Sequence, residues 1–175
     1  SDMKAPGILT RSVVRAAASA ACGRGPAASL LVLIFHRVLP EPDPVLPDEP
    51  DAARFSAILD LIAGSFQPLP LREAVRRLRE GSLPARAACI TFDDGYANNC
   101  EIARPILSAK GVPATVFVAP GFLDGGRMFN DTVIETVRLA PQDFDLRALD
   151  LGRHALTDAA ARRRTVEALL EKLKY

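Results

Sequence analysis

Apolar residues in this chain form short unbroken runs. These alternate with longer stretches in which apolar positions recur every three to four residues. The runs are Leu30 to Phe35, Ala87 to Phe92 and Thr115 to Val118. Each is bounded by turn residues and contains β-branched or aromatic side chains, which predicts strands buried on both faces. Between them, the stretch from Asp51 to Gly64 gathers Phe55, Ile58, Leu59 and Ile62 on one helical face. The stretch from Leu71 to Glu80 sets Leu71, Val75 and Leu78 inward and Arg72, Arg76, Arg77 and Arg79 outward. A third helix is expected to run to Lys110, capped by Asn98 or Asn99, with Ala103, Ile106 and Leu107 inward. Pro105 should kink it or mark its real start. Gly64, Gly81 and Gly111 serve as stops.

The remaining segments are read the same way. Leu9 to Ala21 is Ala-rich and predicts a short helix ending at Cys22-Gly23, followed by a break to Pro26. Leu39 to Pro50 holds five prolines and four acidic residues and must be an irregular loop. Phe66 to Leu69 reads as a short extended piece, and Asp124 to Arg127 as a turn. Asn130 and Asp131 are expected to cap a helix carrying Val133, Ile134 and Val137. Phe144 to Leu151 alternates weakly, as a short strand or a loop. Thr157 to Tyr175 is an amphipathic helix with Val166, Leu169, Leu170 and Leu173 inward. Strands alternating with helices predict an α/β fold of parallel strands with right-handed crossovers.

Composition narrows the class. A chain of 175 residues, 49% hydrophobic, is expected to fold as one domain with a sizeable core. A net charge of +1 gives no reason to expect nucleic acid as a partner. Arg76-Arg77 and Arg162-Arg163-Arg164 read as solvated helix faces. Cys22, Cys89 and Cys100 form neither a disulfide framework nor a zinc knuckle; Cys89 reads as a small core residue, and a reducing compartment fits. No apolar stretch reaches the ~18 residues of a membrane span. The segment from Met3 to Pro40 has no acidic residue, and Arg11 and Arg15 interrupt its apolar positions. It makes a poor secretory leader and a better amphipathic surface helix, so the cytoplasm is favoured. Ser1-Asp2 looks like a cloning remnant.

The candidate chemistry lies where the second run stops, at Asp93-Asp94-Gly95-Tyr96. Parallel sheets place their chemistry at the carboxyl ends of strands. Adjacent carboxylates there repel and resist desolvation unless a cation or a proton separates their roles. The simplest arrangement gives one to a metal and keeps the other as a base. Asp-Asp-Gly is equally ordinary turn chemistry, with Asp capping the next helix. His36 and Arg37 end the first strand as Asp93 ends the second, so His36 and Asp93 are expected at one mouth. A strand-end histidine is also often a core-edge residue bonded to backbone. His154 falls in a polar turn before the last helix and is read as structural.

Thr91-Phe92-Asp93-Asp94-Gly95 resembles the first motif of the polysaccharide deacetylases, the NodB-homology carbohydrate esterases, and all five positions match. Gly111 to Val118 resembles the strand that follows in that family. Phe35-His36-Arg37-Val38 resembles the Tyr-His-x-Val start of one branch. The resemblance runs from about Leu31 to Leu139. It implies the N-terminal part of a distorted (β/α)7, TIM-like barrel, an architecture of roughly 250 residues. The expected layout is an N-terminal extension over 1–29 and the N-terminal half of the deacetylase domain over 30–175, truncated. The missing half, or a second chain, is expected to cover the sheet edge.

The resemblance also implies roles. Asp93 would be the general base and Asp94 a ligand to a divalent metal, Zn²⁺ by expectation. The family's other two ligands come from a downstream His-x-x-x-His motif, and His36 and His154, the only histidines here, form no such pair. The implied activity is that of a hydrolase acting on non-peptide carbon–nitrogen bonds, releasing acetate from an acetylated polysaccharide or oligosaccharide, N-acetyl amino sugars foremost. His36 and Tyr96 would lie beside the substrate or support the ligands, and Asn98 and Asn99 could reach sugar hydroxyls if not used as caps. The alternative is a non-catalytic fragment that binds glycan or a partner. Phosphoryl transfer fits less well, because the Asp-x-Asp spacing of aspartyl-phosphate chemistry is missing.

Overall fold

A computed structural model describes residues 8–23 and 27–174. The remnant at Ser1-Asp2, the break at 24–26 and the terminal Tyr175 lie outside the described residues. The chain divides into two compact units, one of residues 1–41 and 49–119, the other of residues 42–48 and 120–175.

The first unit holds α1 (Ile8–Ala21), β1 (Leu31–Phe35), α2 (Ala52–Ser65), β2 (Gln67–Pro68), α3 (Leu71–Arg79), β3 (Ala87–Phe92), α4 (Arg104–Lys110) and β4 (Ala114–Val116). Its four strands form one sheet, and every pairing is parallel. The parallel α/β expectation therefore holds. β3 is the centre, buried at all six positions, as its unbroken apolar run requires. β1 pairs along its whole length, from Leu31 opposite Ala88 to Phe35 opposite Phe92. β2 meets the first residues of β3 and β4 the last, from Ile90 opposite Ala114 to Phe92 opposite Val116. Among the described residues the sheet is open, with no closed ring of strands.

Register fixes the core. Leu33 and Phe35 share a face with Ile90 and Phe92. Phe55 and Leu59 of α2, Leu107 of α4, and Val38, Ala103 and Val112 cover that face. Phe35, Phe55 and Phe92 form an aromatic triangle with centroids 5.3, 5.6 and 5.8 Å apart. The opposite face of β3 packs Ala87 and Cys89 against Ala28, Ala74 and Leu83. Burial pushes the Cys89 thiol up, which keeps it protonated as a core residue. On α3 the buried position is Ala74, whose small side chain lets the helix approach the sheet, and Leu78, expected inward, is exposed.

The third predicted helix differs at its start. Neither Asn98 nor Asn99 makes a side-chain cap bond; Asn99 opens a wide π turn (Asn99–Ala103) before α4. The cause is Pro105. It has no N–H for the carbonyl four residues back, so the turn widens and Arg104 N–H reaches the Asn99 carbonyl instead.

The second unit holds α5 (Phe129–Leu139), the antiparallel pair β5 (Asp143–Asp145) and β6 (Arg153–Ala155), and α6 (Ala159–Leu173). Val45, Ile134, Val137, Leu156, Val166 and Leu169 form its core. Asn130 and Asp131 lie within α5 and do not cap it, because the helix already begins at Phe129, with Met128 at the cap position. His154 lies on β6, not in a turn, with a ring nitrogen 2.8 Å from the Leu151 carbonyl and the ring beside Phe144, so its role is structural. Asp158 caps α6, accepting from Ala161 N–H at 2.8 Å.

In this unit Arg138 donates to Asp43 at 2.7 Å. That hydrogen bond holds the Asp43 carboxyl below the usual carboxylate range. A depressed folded-state pKa contributes stability that is present above the unfolded value. It is lost as pH falls from about 4 through the folded value. Asp43→Asn should therefore flatten the acid limb of the unit's stability below about pH 4, measured by circular dichroism. An unchanged acid limb would rule out the pair as its source. No helix among the described residues is long and apolar enough to cross a membrane.

Candidate functional site

The end of β3 is held on both sides. Asp93 N–H donates to the Phe35 carbonyl at 2.9 Å, and Phe117 N–H donates to the Phe92 carbonyl at 2.8 Å. Asp93 therefore sits at the carboxyl end of the central strand, fixed by the ends of its two neighbours. This is the position parallel sheets reserve for ligands.

The backbone then turns sharply. Asp94 and Gly95 have φ values of 71° and 73°, two successive left-handed residues. Such a conformation strains a residue with a side chain and clusters at functional sites. Ala119 N–H donates to the Asp94 carbonyl at 3.2 Å and holds the turn. Gly95 is required twice over: its φ is left-handed, and an added Cβ would lie 3.0 Å from Val118 Cγ1. Gly95→Ala should destabilise the first unit by about 1–2 kcal/mol, measured by urea unfolding. Asp94→Gly should do the reverse, stabilising by about 1 kcal/mol while deleting the carboxylate. A destabilised Asp94→Gly variant would mean that the left-handed turn carries no strain.

Asp93 and Asp94 are both half-buried. His36, just past β1, is exposed, and no hydrogen bond or ion pair links it to either carboxylate. Tyr96 is half-buried, and the Arg37 guanidinium stacks over its ring at 4.0 Å from the centroid. Arg37 Nε also lies 3.8 Å from Glu49 Oε1. Arg37 was not among the expected site residues. Its signal was available: a cation directly after a strand end, and an aromatic residue in the facing loop. Asn98 and Asn99 are freed from capping. The Asn98 side-chain Oδ1 and both polar atoms of the Asn99 side-chain amide are buried without a hydrogen-bond partner among the described residues, and Asn99 is only 6% exposed.

The donor set is incomplete for a tightly held metal. Among the described residues no group of three or more His, Cys, Asp and Glu side chains is placed to hold an ion. A protein zinc site takes three or four such ligands. Asp94, with Asp93 beside it, does not satisfy that requirement.

Comparison with known proteins bears on the same segment. Residues 80–141, which include β3 and the carboxylate turn, match the family model for polysaccharide deacetylase. The chain is similar to "Putative polysaccharide deacetylase YxkH" of Bacillus subtilis (strain 168), 30% identical over 92 residues, 52% of this chain and 32% of that protein. It thus spans about a third of that relative's length. Among solved structures it is similar to a de-N-acetylase from Aggregatibacter actinomycetemcomitans, at 24% identity and TM-score 0.47, covering 55% of this chain and 40% of that one. It is also similar to IcaB from Ammonifex degensii, at 22% identity and TM-score 0.46, covering 87% and 71%.

Proposed function

We propose that this chain supplies the motif carboxylates of a metal-dependent hydrolase that removes acetyl groups from a polysaccharide, most directly from N-acetylated amino sugars. The observation that carries the reading is the Asp93-Asp94 pair at the carboxyl end of the central parallel strand, inside the segment that matches the deacetylase model. Asp93 has its backbone fixed, and its side chain makes no hydrogen bond among the described residues. It is available as the base that takes a proton from the attacking water. Asp94 is the ligand this chain offers to a divalent ion, Zn²⁺ by expectation. When bound, such an ion polarises the acetyl carbonyl. The remaining ligands lie outside the described residues in this reading.

Tyr96 follows the carboxylates in sequence, and His36 follows the end of β1 that pairs with the end of β3; we assign both to the substrate side of the mouth. Val32 and Ile34 of β1 and Val116 and Phe117 at β4 are exposed apolar residues on the sheet. They support the expectation that further polypeptide, the rest of a barrel domain or a second chain, covers the sheet. The domain layout of an extension over 1–29 and a partial deacetylase domain over 30–175 is part of the same proposal.

The test is a mass-balance assay on N-acetylated oligosaccharides with divalent metal added. The reading predicts one new free amine for each acetate released. Acetate without amine would move the reaction to O-acetyl groups, and release of neither would leave the chain as a binding fragment.

A further inference from the structure

We infer that Arg37 is a positioning residue for the carboxylate turn, acting as a clamp between the end of β1 and Tyr96. The inference rests on the deacetylase reading for its functional consequence, but its geometry stands apart from it. Arg37 grows from a rigid base. Two residues earlier, the Phe35 carbonyl accepts from Asp93 N–H. Next to it, Val38 has no exposure and lies in the main core. One residue further, Leu39 N–H donates to the Pro50 carbonyl at 2.9 Å and Leu39 bridges to Asp51. A side chain rooted there has little freedom to wander.

Its head meets Tyr96 and Glu49. The guanidinium lies 4.0 Å from the Tyr96 ring centroid, and Nε is 3.8 Å from Glu49 Oε1. The Arg37 side chain is 15% exposed and that of Glu49 27%. A shielded guanidinium on an aromatic face attracts more strongly than one in water. Tyr96 directly follows the left-handed pair Asp94-Gly95 and precedes the helical turn, where its carbonyl accepts from Asn99 N–H at 2.9 Å. The turn is thus hydrogen-bonded to the sheet on one side and pinned by the Arg37–Tyr96 stack on the other. Arg37 acts as a support and does not reach the reacting atoms. It fixes Tyr96, and through Tyr96 it limits how far Asp93 and Asp94 can drift.

The first arm of the test is amide hydrogen exchange on the whole chain. Arg37→Met keeps the length and removes the planar cation. Exchange across residues 93–97 should rise about five- to tenfold, with residues 87–92 of β3 unchanged. Tyr96→Leu should give the same local rise and add nothing to Arg37→Met, whereas Tyr96→Phe should preserve protection because the ring face remains. A uniform rise that includes β3, or a Tyr96→Phe variant as exposed as Tyr96→Leu, would overturn the clamp. The second arm is kinetic. Arg37→Met should lower kcat for acetate release about tenfold with KM little changed, and Arg37→Lys should recover part of it. Locally raised exchange with unaltered kcat would refute the functional role. A wild-type chain that releases no acetate would instead count against the deacetylase reading, and the exchange data would still decide the clamp.

Discussion

Asp93→Asn should lower acetate release by about 10²–10⁴-fold, the usual worth of a general base. The same change should leave unfolding nearly unchanged. Asp93 is half-buried, its side chain makes no hydrogen bond among the described residues, and the bond that fixes the residue comes from its backbone N–H to Phe35. An amide has nearly the size of the carboxylate and keeps that backbone bond, so the fold has no reason to move. What is lost is an acceptor for the water proton. The checking measurements are the initial rate of acetate release and a urea unfolding curve on the same preparation. A large fall in rate with a large fall in stability would assign Asp93 to the fold. A rate within a fewfold of wild type would assign the base to another residue.

Phe55→Ala should have the largest effect on stability, about 3–5 kcal/mol of the first unit's unfolding free energy. Phe55 has no exposure and closes an aromatic triangle with Phe35 and Phe92. Those two partners are the last residues of β1 and β3, and the Phe35 carbonyl holds Asp93. The cavity would open directly beneath the proposed catalytic turn. We expect the urea midpoint to drop sharply, and exchange at Asp93 to rise before that of Ala87 at the far end of the strand. Phe55→Leu should recover roughly half of the loss, because it refills part of the volume. A loss below about 1 kcal/mol for Phe55→Ala would mean that the triangle does not organise the strand ends.

How much of this was legible in the residues follows from physics. β3 could be read because six consecutive apolar or β-branched residues have only one comfortable home, the centre of a parallel sheet. α2 was legible from Phe55, Leu59 and Ile62, all of which are buried. The carboxylate turn was legible because Gly95 and two Asp residues end a strand. The αL conformation of Asp94 itself was not, since φ is set by how Ala119 and Val118 pack against the turn. β2 was legible only as a short extended piece over Phe66 to Leu69, because two residues, one of them proline, carry no periodicity; pairing with the edge of β3 makes Gln67–Pro68 a strand. The caps expected at Asn98, Asn99, Asn130 and Asp131 failed for a shared reason. In both places the chain is already helical at or before those residues, so their side chains are not at the cap. Arg37 was invisible as a contact because its partners, Tyr96 and Glu49, are brought to it only by the parallel register of β1 and β3 and by closure of the proline-rich loop.

A hydrolytic deacetylase built on the turn after β3 leaves the oxygen of the attacking water in the acetate. The measurement that separates the outcomes is isotopic: the chain, together with the polypeptide that supplies the remaining ligands, is incubated with an N-acetylated oligosaccharide and divalent metal in ¹⁸O water, and the acetate and the sugar are analysed by mass spectrometry. Hydrolysis predicts acetate carrying one ¹⁸O atom, matched by one free amine on the sugar. Unlabelled acetate, or an untouched oligosaccharide at saturating metal, would contradict it.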